Sequence, residues 1–186
     1  MKRFLALFVV VLILTGCDKN NSGIEKAISL RQQLQQSNGC SFQAVIVADY
    51  GDEIYEFQLD CQENEKGEFL FCVIAPDTIS GISGLINREG GNLKFDDKAL
   101  FFEMLADDQI TPISGPWLLL RTLKSGYITG AGKVGNGWQV QIDDSYEENP
   151  LQLNIVLNNN CVPVFGEILW KGRRVISITV DNFTIL

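Results

Sequence analysis

The chain has 186 residues, 46% of them hydrophobic and 20% charged, with 15 lysines and arginines against 23 aspartates and glutamates and a net charge of -8. A surface of that sign repels phosphate backbones, which argues against nucleic acid as a partner. Histidine is absent, which removes the usual general base, the Ser-His-Asp and Cys-His arrangements and most metal sites, so the composition argues for a non-enzyme with no metal and no cofactor.

Lys2 and Arg3 precede an unbroken apolar stretch from Phe4 to Leu14, and the small residues Thr15 and Gly16 then lead into Cys17. A cationic start, an apolar middle and a small-residue end are the layout of an export signal. The apolar stretch is too short for the roughly 20 residues a helix needs to cross a bilayer, so it is expected to be removed. Leu14-Thr15-Gly16-Cys17 resembles the bacterial lipobox. The resemblance implies that Cys17 becomes the first mature residue and carries lipid on its thiol. Each buried methylene contributes about 0.8 kcal/mol, so two or three acyl chains anchor a protein without a spanning helix. The expected organisation is a signal peptide over 1–16, the lipidated cysteine and a polar tether over 17–23, and a single domain over 24–186, at the extracytoplasmic face of the cell membrane. Loss of Lys2 and Arg3 leaves 13 cations against 23 carboxylates, a net of -10, so lipid rather than charge must provide the anchor.

After the tether, Ile24 to Ser37 is rich in helix formers, with Ile24, Ala27, Ile28 and Leu34 on one face, and predicts an amphipathic helix. Strands follow. A tight turn at Tyr50-Gly51 would pair Ile46 with Tyr55, Ala44 with Phe57, Phe42 with Leu59 and Cys40 with Cys61, apolar on one face and polar on the other. Phe69–Ile74 and Ser83–Arg88 are the next strands. A turn at Glu89-Gly90-Gly91-Asn92 would set Ile86 against Phe95, and one at Asp97-Lys98 would set Phe95 against Leu100 and Leu93 against Phe102.

In mid-chain, Pro116 suits a first helical position and Gly126 a stop, so Pro116 to Ser125 reads as a short helix. Trp117, Leu118, Leu119, Leu120 and Leu123 leave it little polar face, so it should be buried against a curved sheet, as plain core packing or as a lid over a ligand cavity. Asn136-Gly137 then signals a hairpin between Tyr127–Lys133 and Trp138–Asp143, and Leu151–Leu157, Pro163–Trp170 and Arg174–Asp181 complete ten or eleven strands. That number requires a sheet that curls or closes. Gly130 to Gly135 has dinucleotide-binding spacing, but a strand follows where a helix N-terminus would be needed, and a sheet bend or bulge is the better account. The pairs Asp107-Asp108, Asp143-Asp144 and Glu147-Glu148 lack calcium-loop spacing and read as solvated loops.

This pattern of lipobox, helix, long antiparallel meander, apolar mid-chain helix and closing strand ending Val180-Asp181-Asn182-Phe183 resembles the LolA, LolB and LppX-like bacterial lipoproteins and lipoprotein carriers. The resemblance implies a mainly β fold, a strongly curved antiparallel sheet or incomplete barrel, with helices over an apolar cavity able to hold acyl chains. That fold also serves proteins recruited to bind other proteins, including germination lipoproteins of clostridia.

The first function expected is therefore an anchored carrier or chaperone for lipids or lipoproteins, with Phe42, Phe57, Phe95, Phe102, Trp117 and Leu120 lining the cavity. The second is a tethered module, of sporulation or germination type for example, that binds an envelope protein and has a filled core. Export permits oxidation of the remaining cysteines. Cys40 with Cys61 is the leading bridge, Cys61 with Cys72 its competitor, and reduced core residues are the third reading.

Overall fold

The structure, a computed structural model, describes residues 21–95, 98–103, 105, 106 and 109–186. The export signal, Cys17, the start of the tether, the Asp107-Asp108 pair and the turn residue Asp97 lie outside the described residues.

Helix α1 runs Asn21–Gln36, so it takes in three residues that the sequence reading assigns to the tether. Its buried face is Gly23, Ala27, Leu30 and Leu34, spaced as one helical stripe. Leu30 replaces Ile28 on that stripe, and Ile28 faces solvent.

The strands are β1 (Cys40–Asp49), β2 (Ile54–Glu63), β3 (Phe69–Ala75), β4 (Ser83–Asn87), β5 (Gly90–Phe95) and β6 (Lys98–Phe102), then a two-stranded ribbon of β7 (Leu105–Ala106) and β8 (Gln109–Ile110). Helix α2 (Gly115–Ser125) follows, then β9 (Tyr127–Val134), β10 (Gly137–Asp143), β11 (Gln152–Leu157), β12 (Pro163–Trp170) and β13 (Arg173–Ile185). Eleven strands form one open, curved sheet in the order β6-β5-β4-β3-β2-β1-β13-β12-β11-β10-β9, with every neighbouring pair antiparallel. β6 and β9 are its edges, and the seam between the two halves is β1 against β13.

β1 shows why the sheet has a definite inside. Cys40, Phe42, Ala44, Ile46 and Ala48 are all buried while the residues between them are not, the period of two that a half-covered strand requires. The hairpin to β2 has the expected faces, but its register is shifted by two. Ala44 lies opposite Leu59, Ile46 opposite Phe57, Phe42 opposite Cys61 and Cys40 opposite Glu63. The cause is the loop, which takes Tyr50 to Glu53 rather than two residues, with Gly51 at φ +96° and the Tyr50 N–H bonded to the Glu53 carbonyl at 3.1 Å. A shift of two preserves the inward set, so the pattern alone does not detect it.

Register differences recur further on, by four residues between β4 and β5 and by two between β5 and β6, where Phe95 lies opposite Lys98 rather than Leu100. Ile86 lies opposite Gly91 rather than Phe95, and Leu93 lies opposite Leu100 rather than Phe102. By contrast the Gly130–Gly135 segment is strand and turn as expected, with a register shift between Gln141 and Ile142 in the β9–β10 ladder.

The register also decides where the cysteines sit. Cys40 and Cys61 are buried on the inner face, one opposite Glu63 and the other between Phe42 and Phe71. Cys72 lies opposite Asp60 on the other face from Cys61, because adjacent positions alternate. Cys40, Cys61, Cys72 and Cys161 are free thiols in this structure. Burial, then the nearby Glu63 charge, pushes the Cys40 thiol up to about 12, and burial raises Cys61 as well.

Both helices pack on the inner face. Leu119, Leu120 and Leu123 of α2 are fully buried. A Cβ on Gly166 of β12 would lie 2.7 Å from Leu119 Cδ1, so glycine is what lets the helix approach β12. The end of α2 is closed by α1: Arg31 Nε donates to the Leu123 carbonyl at 2.7 Å and Gln35 Nε2 to the Lys124 carbonyl at 2.8 Å. These bonds satisfy carbonyls that a helix end leaves open. Lys124 also pairs with Glu63 at 2.7 Å, tying α2 to the end of β2.

Candidate functional site

Among the described residues, the middle of α2 packs directly on the sheet. The three leucines of α2 interlock with inner-face residues such as Ile176 and Ile178, which are also fully buried. The clefts lined by the described residues open around this core, and two of them reach Trp117 at the start of the segment expected to cover a cavity.

A cleft of about 590 Å³ opens at the tip of the β1–β2 hairpin, lined by Tyr50, Asp52, Glu53, Tyr55 and Phe57 on one side and by Ile110, Thr111 and Pro112, the link from β8 toward α2, on the other. Its apolar wall is a ladder of rings. Tyr50 and Tyr55 have centroids 6.1 Å apart, and Tyr55 and Phe57 stack at 6.3 Å with 13° between planes, spacings at which aromatic pairs attract. Tyr55 and Phe57 share a wall because alternate residues of β2 point to one face. The Tyr50 O–H donates to the Ile110 carbonyl, which joins the two walls. Burial, then the neighbouring Tyr55, pushes the Tyr50 phenol up to about 12. The Tyr55 O–H donates to a Glu53 carboxylate oxygen, and this bond and the Glu53 charge raise its pKa as well.

The six residues expected to line one cavity are distributed. Phe57 lines the hairpin cleft. Leu120 is in the buried core, and Phe42 is buried on the inner face of β1 with its ring 5.5 Å from that of Phe183. Trp117 is buried on α2, under the Arg121 guanidinium at 5.1 Å, and borders two other clefts, one with Arg88, Lys124 and Glu63 and one with Trp170 and Asp144. Phe102 and Phe95 are on the wing formed by β4–β6, Phe102 half-buried and Phe95 50% exposed. They share the inner face: the row Phe42, Cys61, Phe71, Gly84, Leu93, Leu100 crosses from β1 to β6. Exposure along it ends at 62% for Leu100, and Phe101 on the opposite face of β6 is 61% exposed. An apolar face thus continues past the helices to the sheet edge.

Tyr50, Tyr55 and Ile110 are site residues that the sequence reading missed. The signal was Tyr55 and Phe57 alternating on a strand close to a four-residue loop. Ile110 had none, since its position depends on the link before α2. Among the described residues no group of histidine, cysteine, aspartate or glutamate is arranged to hold a metal, and no helix is long and apolar enough to cross a membrane.

No family model matches the chain, and no curated protein matches it. Among solved structures it is similar to an uncharacterized conserved protein from Thermus thermophilus, at 12% identity over 86% of this chain and 87% of that one, with a TM-score of 0.48. It is also similar to a LolA superfamily protein from Nitrosomonas europaea, at 8% identity over 91% and 94% with a TM-score of 0.44. A third is a chain of the complex between the CwlD amidase and the GerS lipoprotein of Clostridioides difficile, at 12% identity over 87% and 95% with a TM-score of 0.45. All three TM-scores lie below 0.5, and at 8% and 12% identity neither a family nor a functional residue passes from any of these proteins to the chain.

Proposed function

We propose that this protein is an extracytoplasmic lipoprotein, anchored through Cys17, that binds an apolar chain in the cleft between the β1–β2 hairpin and the link from β8 to α2. The observation that carries the reading is the ring ladder of Tyr50, Tyr55 and Phe57 facing Ile110 and Pro112 across about 590 Å³. That volume is in the range of ligand pockets, roughly 300–1,000 Å³, and each methylene placed there contributes about 0.8 kcal/mol. The resemblance of the sequence pattern to LolA-like lipoproteins is compatible with carriage of lipid or of an acylated protein. The test is mass spectrometry of the full chain purified gently from membranes. Lipid or acyl-bearing molecules should co-purify with the wild type and be depleted in Phe57→Glu, and a wild type that carries none would sink the reading.

A second reading is favoured by β6. Among the described residues this edge strand has no neighbour on one side, and it carries Leu100 and Phe101 exposed on its two faces, a combination that invites strand addition by a protein partner. It predicts that a photo-cross-linker at Ala99 captures one envelope protein in intact cells, and loss of that product in Leu100→Lys would support docking at this edge.

A further inference from the structure

The hairpin cleft has a charge as well as an apolar wall. Among the described residues its lining contains two carboxylates, Asp52 and Glu53, and no lysine or arginine. Asp52 has no ion-pair or hydrogen-bond partner among the described residues, and Glu53 accepts from the Tyr55 hydroxyl rather than from a cation. The nearby cation Arg173 is bound to Asp49 at 3.3 Å and does not line the cleft. Two carboxylates at the mouth of an aromatic ladder form an environment for a positive group, because ring faces and carboxylates both attract it. The same environment repels a fatty-acid carboxylate or a phosphate, and the net charge of the chain, -8, adds to that repulsion.

Resting on the apolar-chain reading above, we propose that the cleft selects an alkylammonium, an organic cation borne on an apolar stem, over anionic amphiphiles. The stem lies along Tyr55 and Phe57, and the ammonium sits between the Tyr50 and Tyr55 rings and the carboxylates of Asp52 and Glu53. An exposed ion pair alone contributes little, so selectivity requires rings and carboxylates together.

The experiment is calorimetric titration of the full chain in nanodiscs, with empty discs as the blank, using hexyltrimethylammonium, hexanoate and hexanol. The cation is expected to bind about tenfold more tightly than the anion. Asp52→Asn with Glu53→Gln should bring the two within about twofold while hexanol binding is retained, and Glu65→Gln with Glu89→Gln, which neutralises two carboxylates in turns beyond the far end of β2, should leave the ratio unchanged. Equal binding of all three probes by the wild type overturns the charge selectivity and leaves the apolar-chain reading standing. Binding of none overturns both. Repeating the titration in discs with and without a long-chain alkylamine separates the sources: competition assigns the cation to the headgroup of a membrane amphiphile, and its absence to a soluble amine.

Discussion

Leu119 of α2 lies against the bare Cα of Gly166 on β12, so close that a methyl group there would be 2.7 Å from the leucine Cδ1. This contact lets the middle of α2 approach the inner face of the sheet closely. Gly166→Ala is expected to destabilise the protein by about 1–3 kcal/mol through overpacking, and Leu119→Ala by about 2–5 kcal/mol through a cavity. In the double variant the two costs should fall short of their sum, because the smaller residue at 119 makes room for the methyl at 166. Chemical denaturation of the four proteins measures this.

Glu63 is on the inner face, in the row of Cys40 and Phe69, and its charge is answered by Lys124 at 2.7 Å. Lys124→Met leaves that carboxylate without its partner and should cost about 1–3 kcal/mol. Adding Glu63→Met should recover part of the loss, since a pair removed together leaves no unmatched charge. Stability that falls further in the double variant would show that the contact is not an ion pair of consequence.

The Tyr50 phenol, shifted by burial from 10.0 to about 12, makes stability depend on pH at the alkaline end. The folded state keeps its proton where the unfolded state loses it, so the contribution is complete below pH 10 and is lost as pH rises toward 12. Tyr50→Phe should lower stability at neutral pH by about 0.5–1.5 kcal/mol, the worth of the bond to the Ile110 carbonyl. It should also flatten the decline between pH 10 and 12 relative to the wild type.

The wing is a surface liability rather than a structural support. Leu100→Lys and Phe101→Lys should each change stability by less than about 0.5 kcal/mol, as exposed substitutions do, yet reduce self-association in sedimentation experiments, since a charge on an edge strand blocks pairing with another sheet.

The proposed anchoring rests on one atom, the Cys17 sulfur. Metabolic labelling with palmitate should mark the wild type and not Cys17→Ser, and the serine variant should leave the membrane fraction if exported. Equal labelling of both would place the lipid elsewhere or nowhere.

Alternation made the strands legible. Cys40 to Ala48 and Leu151 to Leu157 carry a period of two that admits one face inside, and the apolar run at 117–123 could only be a buried helix. The hairpin registers were less legible. Moving the β1–β2 pairing by two residues leaves the same side chains inside, and the loop length that decides it depends on Gly51 and on a backbone bond at Glu53. That slip created the Cys40–Cys61 pairing, which the structure replaces with Cys40 opposite Glu63. The site was least legible, because its walls come from residues 50–57 and 110–112. A sequence that announces apolar residues does not say which of them a distant link will leave uncovered, so Phe42 and Leu120 were grouped with Phe57.

The placement of β1 beside β13 has a consequence for biogenesis. A chain threaded across a membrane in an extended state delivers β1 early and its neighbour β13 after every other strand, so two half-sheets must wait, each with a raw inner border, until the tail arrives. Loop closure over such a separation is slow. In the proposed export, the period between threading and sealing is when the chain is most open to chaperone capture, and a substitution that weakens β13 would reduce the yield of folded protein well before it altered anything at the hairpin tip.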